Sequence, residues 1–217
     1  MKIDLHVHSS YSMDGEIYPK EILKYAKKIG LGGVAITDHN NIKGSLEAFK
    51  IAEDILIIRG IEISAFEGHV LAYGISENVE KGLSIAETIE KINDLGGIAV
   101  AAHPFRFGSG MGKNNLFNNK FDGIEIMNGR NSSRANIKAC KASKTLKRSG
   151  IGGSDGHIFS EFGRAYTICD ATTEREVIDC ISKNKVAVDG ISRNFFDTYT
   201  YFKKITGEWF KRGFKRI

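Results

Sequence analysis

Apolar residues recur along this chain in two alternating rhythms, and the alternation predicts the architecture. Short apolar runs read as buried strands: Val34-Ala35-Ile36-Thr37, Ile55 to Ile58, Ile98 to Ala102, Gly123 to Met127, Gly150 to Ser154 and Val186 to Val188. Between them the apolar positions repeat at helical intervals. Pro19 opens one such stretch, with Ile22, Leu23, Ala26 and Ile29 on a shared face, and Gly30, Gly32 and Gly33 close it. A second runs from about Lys43 to Asp54, and a more polar one from about Ser132 to Lys147. Ser84 with Glu87 and Thr173 with Glu176 are capping boxes, opening helices through Ile85, Ile89 and Ile92 and through Val177, Ile178 and Ile181. So many exchanges of strand and helix imply an α/β protein with a mainly parallel sheet, either open and doubly wound or closed into a barrel. One segment departs from the rule. Ile61 to Ser64 and His69 to Tyr73 are separated only by Ala65-Phe66-Glu67-Gly68, too short for a helical crossover. A hairpin is expected there, giving one antiparallel strand, with Glu62 and His69 facing each other near the turn.

Composition narrows the class. The 217 residues can bury one core, and no apolar stretch approaches the ~20 residues of a bilayer-spanning helix. Asp4, Asp14 and Glu16 stand where a secretory leader would be apolar, so a cytosolic address is expected. The net charge of +5 lies entirely in residues 201–217, where Lys203, Lys204, Lys211, Arg212, Lys215 and Arg216 oppose Glu208. The remainder is neutral and is no general polyanion binder. The chain is therefore divided into a body, 1–194, and a basic aromatic segment, 195–217, carrying Phe202, Ile205, Trp209, Phe210 and Phe214. Its plain reading is a helix packing its aromatic face on the body; a membrane-surface or partner contact is the sharper one. Cys140, Cys169 and Cys180, odd in number and widely spaced, read as reduced thiols.

The six histidines carry the chemistry. They occur in Asp4-Leu5-His6-Val7-His8, Thr37-Asp38-His39, Gly68-His69, Ala102-His103-Pro104 and Ser154-Asp155-Gly156-His157, all at the carboxyl edge of expected strands or just after the hairpin turn. That edge is where loops gather in parallel α/β folds. Side chains at i and i+2 share a face, so His6 with His8, and Asp155 with His157, can grip one ion together. Asp38 and His39 point oppositely in extended chain, so one is a direct ligand and the other a support. Each motif alone is most often a surface or core histidine. Their conjunction is not, because no histidine is left over. Imidazoles mixed with carboxylates and no thiolates favour Zn²⁺, Mn²⁺ or Fe²⁺, and nine candidate ligands are too many for one ion. Two or three clustered cations follow, an arrangement that usually serves phosphate-ester hydrolysis.

These segments, together with Ser12-x-Asp14-Gly15, Gly60-Ile61-Glu62-Ile63, Gly68-His69-Val70-Leu71 and Gly163-Arg164-Ala165-Tyr166, resemble the motifs of the PHP (polymerase and histidinol phosphatase) phosphoesterases, in order from residue 4 to about 168. The resemblance implies a distorted seven-stranded, TIM-like β/α barrel, mainly parallel, with a trinuclear metal centre at its carboxyl edge. By position, His6, His8, Glu62 and Asp155 would hold the first ion, Asp14, His39 and His157 the second, and bridging Glu62 with His69 and His103 the third. Many members of the family carry a histidine in place of Asp14. The resemblance makes His39 the ligand and leaves Asp38 as the supporting carboxylate of the catalytic centre. It implies attack by a metal-bridging hydroxide on a phosphate ester. Arg106 and Arg130 are the candidate phosphate clamps. A phosphomonoesterase acting on a small metabolite or nucleotide is the expected activity. A nuclease-like phosphodiesterase and a non-catalytic metal-binding scaffold are the alternatives, and nucleic acid is not the favoured partner. Phe105 to Asn119, rich in Gly and Asn, is expected to be the loop that shapes the pocket.

Overall fold

Both capping boxes close as their spacing predicts. Ser84 Oγ accepts from Glu87 N at 3.3 Å while Ser84 N donates to Glu87 Oε2 at 2.9 Å. Thr173 and Glu176 do the same at 3.2 and 3.1 Å. Each box satisfies two backbone donors that a helix start would otherwise leave orphaned.

The computed structural model describes residues 1–193. The elements follow in the order β1 (Lys2–Val7), α1 (Pro19–Lys28), β2 (Gly33–Ile36), α2 (Lys43–Ile51), β3 (Leu56–Ile57), β4 (Gly60–Ala65), β5 (Gly68–Tyr73) and α3 (Ile85–Asp94). Then come β6 (Ile98–Ala101), α4 (Gly112–Asn118), β7 (Gly123–Asn128), α5 (Ser133–Leu146), β8 (Ser149–Gly153), β9 (Ala165–Ile168), α6 (Glu174–Ser182) and β10 (Ala187–Gly190). They form two five-stranded sheets, ordered β10-β9-β1-β2-β3 and β4-β5-β6-β7-β8. A single seven-stranded ladder is not what forms. The sheets adjoin at two seams, each marked by an isolated bridge: Val7 with Gly156, and His39 with Glu62. Gly153 permits the first seam, because a Cβ there would come within 2.7 Å of the His6 backbone nitrogen.

Ile61 and Ile63 of β4 are fully buried in a core with Ile85, Ile89 and Ile92 of α3. Each such side chain contributes about 1.5–3 kcal/mol of burial. Strand alternation then sends Glu62 to the opposite face. A second core draws on both sheets, joining Ile3 and Leu5 of β1 to Leu71 and Tyr73 of β5 and Ile151 of β8. Tyr73 adds a cross-sheet tie, donating its hydroxyl to the Leu5 carbonyl at 2.6 Å.

Several expectations need correction. β5 is antiparallel to both neighbours, as the short turn demands, but β9 is a second antiparallel strand, lying between β1 and β10. Its four residues, Ala165-Tyr166-Thr167-Ile168, lack the continuous apolar run that marks β2 and β6 in the sequence. The hairpin register pairs His69 with Ser64 and Glu62 with Leu71, so Glu62 and His69 are diagonal rather than opposite. They still meet, because residues two apart share a face. The segment 105–119 is not all loop, since α4 forms within it. α2 ends at Ile51, and the strand expected over Ile55 to Ile58 shrinks to the two residues of β3. Among the described residues the three cysteines are free, and no helix is long and apolar enough to cross a membrane. The expected boundary at 194 and the segment 195–217 lie outside the described residues.

Candidate metal centre

The site is assembled from strand ends. β1 and the residue that follows it place Asp4, His6 and His8 at alternate positions, all without solvent exposure. His6 Nδ1 donates to Glu125 Oε1 of β7 at 2.9 Å, which puts its proton on Nδ1 and turns Nε2 into the cavity. There His6 Nε2 lies 3.2 Å from His8 Nε2 and 3.2 Å from Glu62 Oε2. Asp155 Oδ1 approaches His8 Nε2 at 3.4 Å. Glu62 Oε1 accepts from His69 Nδ1 at 2.9 Å and from His103 Nε2 at 2.8 Å. On the outer side, His157 Nε2 donates to Asp14 Oδ2 at 2.9 Å, and His39 Nε2 lies 3.8 Å from the same oxygen.

All nine predicted side chains therefore converge. Their donor atoms form four groups able to hold a cation: His8-Asp14-His39-His157, His6-Glu62-His103, His6-His8-Asp155 and His39-Glu62-His69. Shared members leave room for two or three divalent ions rather than four. The grouping differs from the expected one in detail. His8 also joins the outer group, while His69 and His103 share Glu62 Oε1 but fall into separate groups.

Electrostatics mark the cluster as built for positive charge. Burial would raise the pKa of Glu62, yet the rings of His39, His6, His69 and His103 hold it well below the carboxylate range. Asp155 is likewise held low against burial, by Arg106, His6, His8 and Arg130. Burial opposes a charged His6, but Glu125, Asp155 and Glu62 overcome it and raise its pKa well above the ordinary value. His8 rises to about 9, its bonds to Asp155 and Glu62 outweighing burial. Burial pushes His39 down to about 4. Protons on His6 and His8 thus do the neutralising that cations could do. The donor set fits such cations: six imidazoles and three carboxylates without a thiolate. Buried His39 Nδ1 moreover makes no hydrogen bond, leaving a position open to a Lewis acid.

Backbone strain sits at the same place. His103 has φ 26° and Asp155 φ 54°, values that cost on the order of 1–3 kcal/mol each in a residue with a side chain. His103 is held there by its N–H, which donates to Glu125 Oε2 at 2.7 Å. Glu125 accordingly fixes two ligands at once, and Asn128 Nδ2 supports it at 3.0 Å. From sequence Glu125 reads equally as a barrel-interior carboxylate or as strand filler, and it is not among the expected site residues. Its only signal was an acid in the otherwise apolar strand Gly123 to Met127.

Other predicted residues are placed differently from expectation. Asp38 joins none of the groups; its carboxylate accepts from Ser9 N at 2.6 Å and Ser9 Oγ at 2.7 Å. It pins the turn that follows His8, and only a glycine at position 44 leaves room, since a Cβ there would sit 2.1 Å from Asp38 Oδ2. Ser12, also overlooked as an individual residue, meets His8 Nδ1 at 3.2 Å and accepts from His39 N at 2.8 Å. Arg106 is turned inward, donating to Asp155 Oδ2, to Asn128 Oδ1 at 2.7 Å and to Asn131 Oδ1 at 2.8 Å. Arg130 Nη1 lies 2.7 Å from His157 Nδ1 and 3.6 Å from Asp155 Oδ1, at the border of the outer group.

This fold and this nest of histidines and carboxylates define an α/β protein with a multinuclear metal site. The PHP domain model matches residues 4–216, and the chain belongs to that family. The Uncharacterized protein MJ1587 of Methanocaldococcus jannaschii is 39% identical over 140 residues, covering 59% of this chain and 82% of that protein. Among solved structures, a two-domain protein from Bacteroides vulgatus containing a predicted PHP-like metal-dependent phosphoesterase superposes with TM-score 0.74 at 20% identity, over 88% of this chain and 65% of that one. The lesion-specific endonuclease of Pyrococcus furiosus gives TM-score 0.67 at 20% identity, over 86% of this chain and 57% of that one. At such identities the structural likenesses speak for the fold alone.

Proposed function

We propose that this protein hydrolyses phosphate esters with two or three divalent cations, and that the described strands form a distorted barrel of the PHP type around them. The single-bridge seams between the sheets support the barrel. The observation that carries the activity is Glu62: one buried carboxylate contacted by His6, His8, His39, His69 and His103 and shared between two of the four groups. Cations bound here would neutralise phosphate oxygens and bring the pKa of a bound water to roughly 7.

The protein's own groups have separable tasks in this reading. His6, His8, Asp14, His39, Glu62, His69, His103, Asp155 and His157 hold the ions. Glu125 keeps the His6 proton on Nδ1, and Ser12 steadies His8 and His39. Asp38 positions the turn after His8 and does not touch substrate. Arg130 borders the outer group and contacts a phosphate oxygen held there, whereas Arg106 acts through Asp155 rather than on substrate. In hydrolysis a water oxygen bonds to phosphorus as the ester oxygen departs and takes up a proton, so the site must neutralise charge on both sides of phosphorus.

Elemental analysis of the purified protein, followed by assay against p-nitrophenyl phosphate with Mn²⁺ and Zn²⁺ supplied separately, tests the proposal. Bound metal above one equivalent with metal-dependent turnover is expected, and His157→Ala should abolish that turnover. Loaded protein without turnover on any phosphate ester would leave the metal-binding scaffold as the better account.

A further inference from the structure

β7 carries an irregularity that changes which of its side chains face the cavity. In an unbroken strand Glu125 and Asn128, three residues apart, would project from opposite faces. The pairing of β7 with β8 shifts register between Glu125 and Met127, and the strand then resumes with Asn128 beside Gly153. A bulge of this kind adds one residue to one strand and re-aims the side chains that follow it. Asn128 accordingly meets Glu125 on one side of the strand, and both are without solvent exposure.

The bulged residue is held from both ends of its backbone. Asn128 N donates to Asn136 Oδ1 at 3.2 Å, and its carbonyl accepts from Asn136 Nδ2 at 3.1 Å, so one side chain of α5 grips it. The Asn128 amide in turn uses its whole bonding capacity. Its Nδ2 donates to Glu125 Oε2 at 3.0 Å and to Asp155 Oδ2 at 3.1 Å. Its Oδ1 accepts from Arg106 Nη2 at 2.7 Å and from Arg130 N at 2.9 Å. A flipped amide would turn its oxygen on two carboxylates and its hydrogens on two donors, so the neighbours set its orientation.

The consequence falls on the candidate ligands. Glu125 holds the His6 ring through Oε1 and the His103 backbone through Oε2. Asp155 Oδ2 is occupied by Asn128 and Arg106, which leaves Oδ1 facing the cavity, 3.4 Å from His8 Nε2 and 3.8 Å from His6 Nε2. One amide therefore bears on His6, His103 and Asp155, although it joins none of the four groups.

We propose that Asn128 is a positioning residue of the metal centre, locking Asp155 so that a single oxygen, Oδ1, meets the cation while steadying the carboxylate that orients His6 and His103. An aspartate of the same shape would repel both acids, and an alanine would leave each of them short of a donor. The inference deepens the reading of these groups as cation ligands and rests on it.

The test reads metal binding by the full chain in two ways. Competition with a chromophoric chelator gives the affinities for Mn²⁺ and Zn²⁺, and the visible absorption of the Co²⁺-loaded protein reports ligand number and geometry. Asn128→Ala should weaken binding about 10–100-fold and alter the Co²⁺ absorption, with the number of ions bound at saturation unchanged. Asn128→Thr suits a strand and offers one hydroxyl donor, so its affinity should fall between those of the wild type and Asn128→Ala. It also supplies the reading if the alanine variant does not fold. Wild-type affinity with an unaltered Co²⁺ spectrum, in whichever variant folds, overturns the proposal even where urea unfolding of the metal-free form shows a lower midpoint. Wild-type protein that binds these ions yet hydrolyses no phosphate ester would sink the phosphoesterase reading alone, because the role of Asn128 is read without turnover.

Discussion

Asp4 and Glu62 are carboxylates equally cut off from water, and their surroundings compensate for that burial in opposite ways. Asp4 is ringed by neutral donors: the backbone N–H groups of Ser154 at 2.8 Å, Gly163 at 2.9 Å and His6 at 3.3 Å. These occupy its lone pairs without cancelling its charge, and burial still pushes its pKa up to about 6. Glu62 is ringed by imidazoles, which hold its pKa well below the usual range against burial. A carboxylate closed off by amide hydrogens is a peg that ties β1 to the loop after β8. One closed off by bases that exchange a proton for a cation is a site of chemistry.

The sharpest way to break this contrast is to remove each acid in turn. Glu62→Gln should lower bound metal by at least one equivalent and cut hydrolysis by on the order of 10³-fold, the scale of losing a principal electrostatic stabiliser. Elemental analysis and steady-state rates on one preparation would check both. Asp4→Ala should reverse the pattern, costing about 3 kcal/mol of stability through orphaned backbone donors while the metal count stays unchanged. Urea unfolding beside metal analysis would show it, and a fall in metal content with unchanged stability would erase the distinction.

Glu125 falls between the two acids, as it holds a ligand without joining a group. Glu125→Gln should weaken metal affinity by about 10–100-fold while the protein stays folded, measured by competition with a chromophoric chelator. The smallest effect concerns protons. His8 carries its proton up to about pH 9 in the metal-free protein, so a cation must displace it. Because the folded pKa is raised, the proton is fully bound well below 9. Apparent affinity should then fall about tenfold for each pH unit below that value from this group alone. Calorimetry in two buffers of different ionisation enthalpy would count the protons released, and none released would contradict the assignment.

How far the sequence reaches depends on how local the signal is. His6 with His8, and Asp155 with His157, are pairs two apart on one face, so their convergence could be read without coordinates. The helix boundaries at Ser84 and Thr173 were equally legible, because a capping box is a four-residue device. Glu125 was not, for an inward acid on a strand differs from filler only in what lies across the cavity. Arg106 reads identically whether its guanidinium faces substrate or Asp155. α4 was hidden by the poor helix formers Asn114 and Asn115, and β9 by the lack of a continuous apolar run in Ala165-Tyr166-Thr167-Ile168. The pairing of strands into two sheets is a matter of long-range register that no window along the chain contains.

The two single-bridge seams have a mechanical consequence. His6, His8, Asp14 and His39 belong to one sheet and the loops it carries, while Glu62, His69, His103, Asp155 and His157 belong to the other. Cations gripped by both sets act as rivets between two plates otherwise joined there by little backbone. Saturating them at a hundredfold excess over Kd would add about 2.7 kcal/mol to resistance against unfolding for each independent ion.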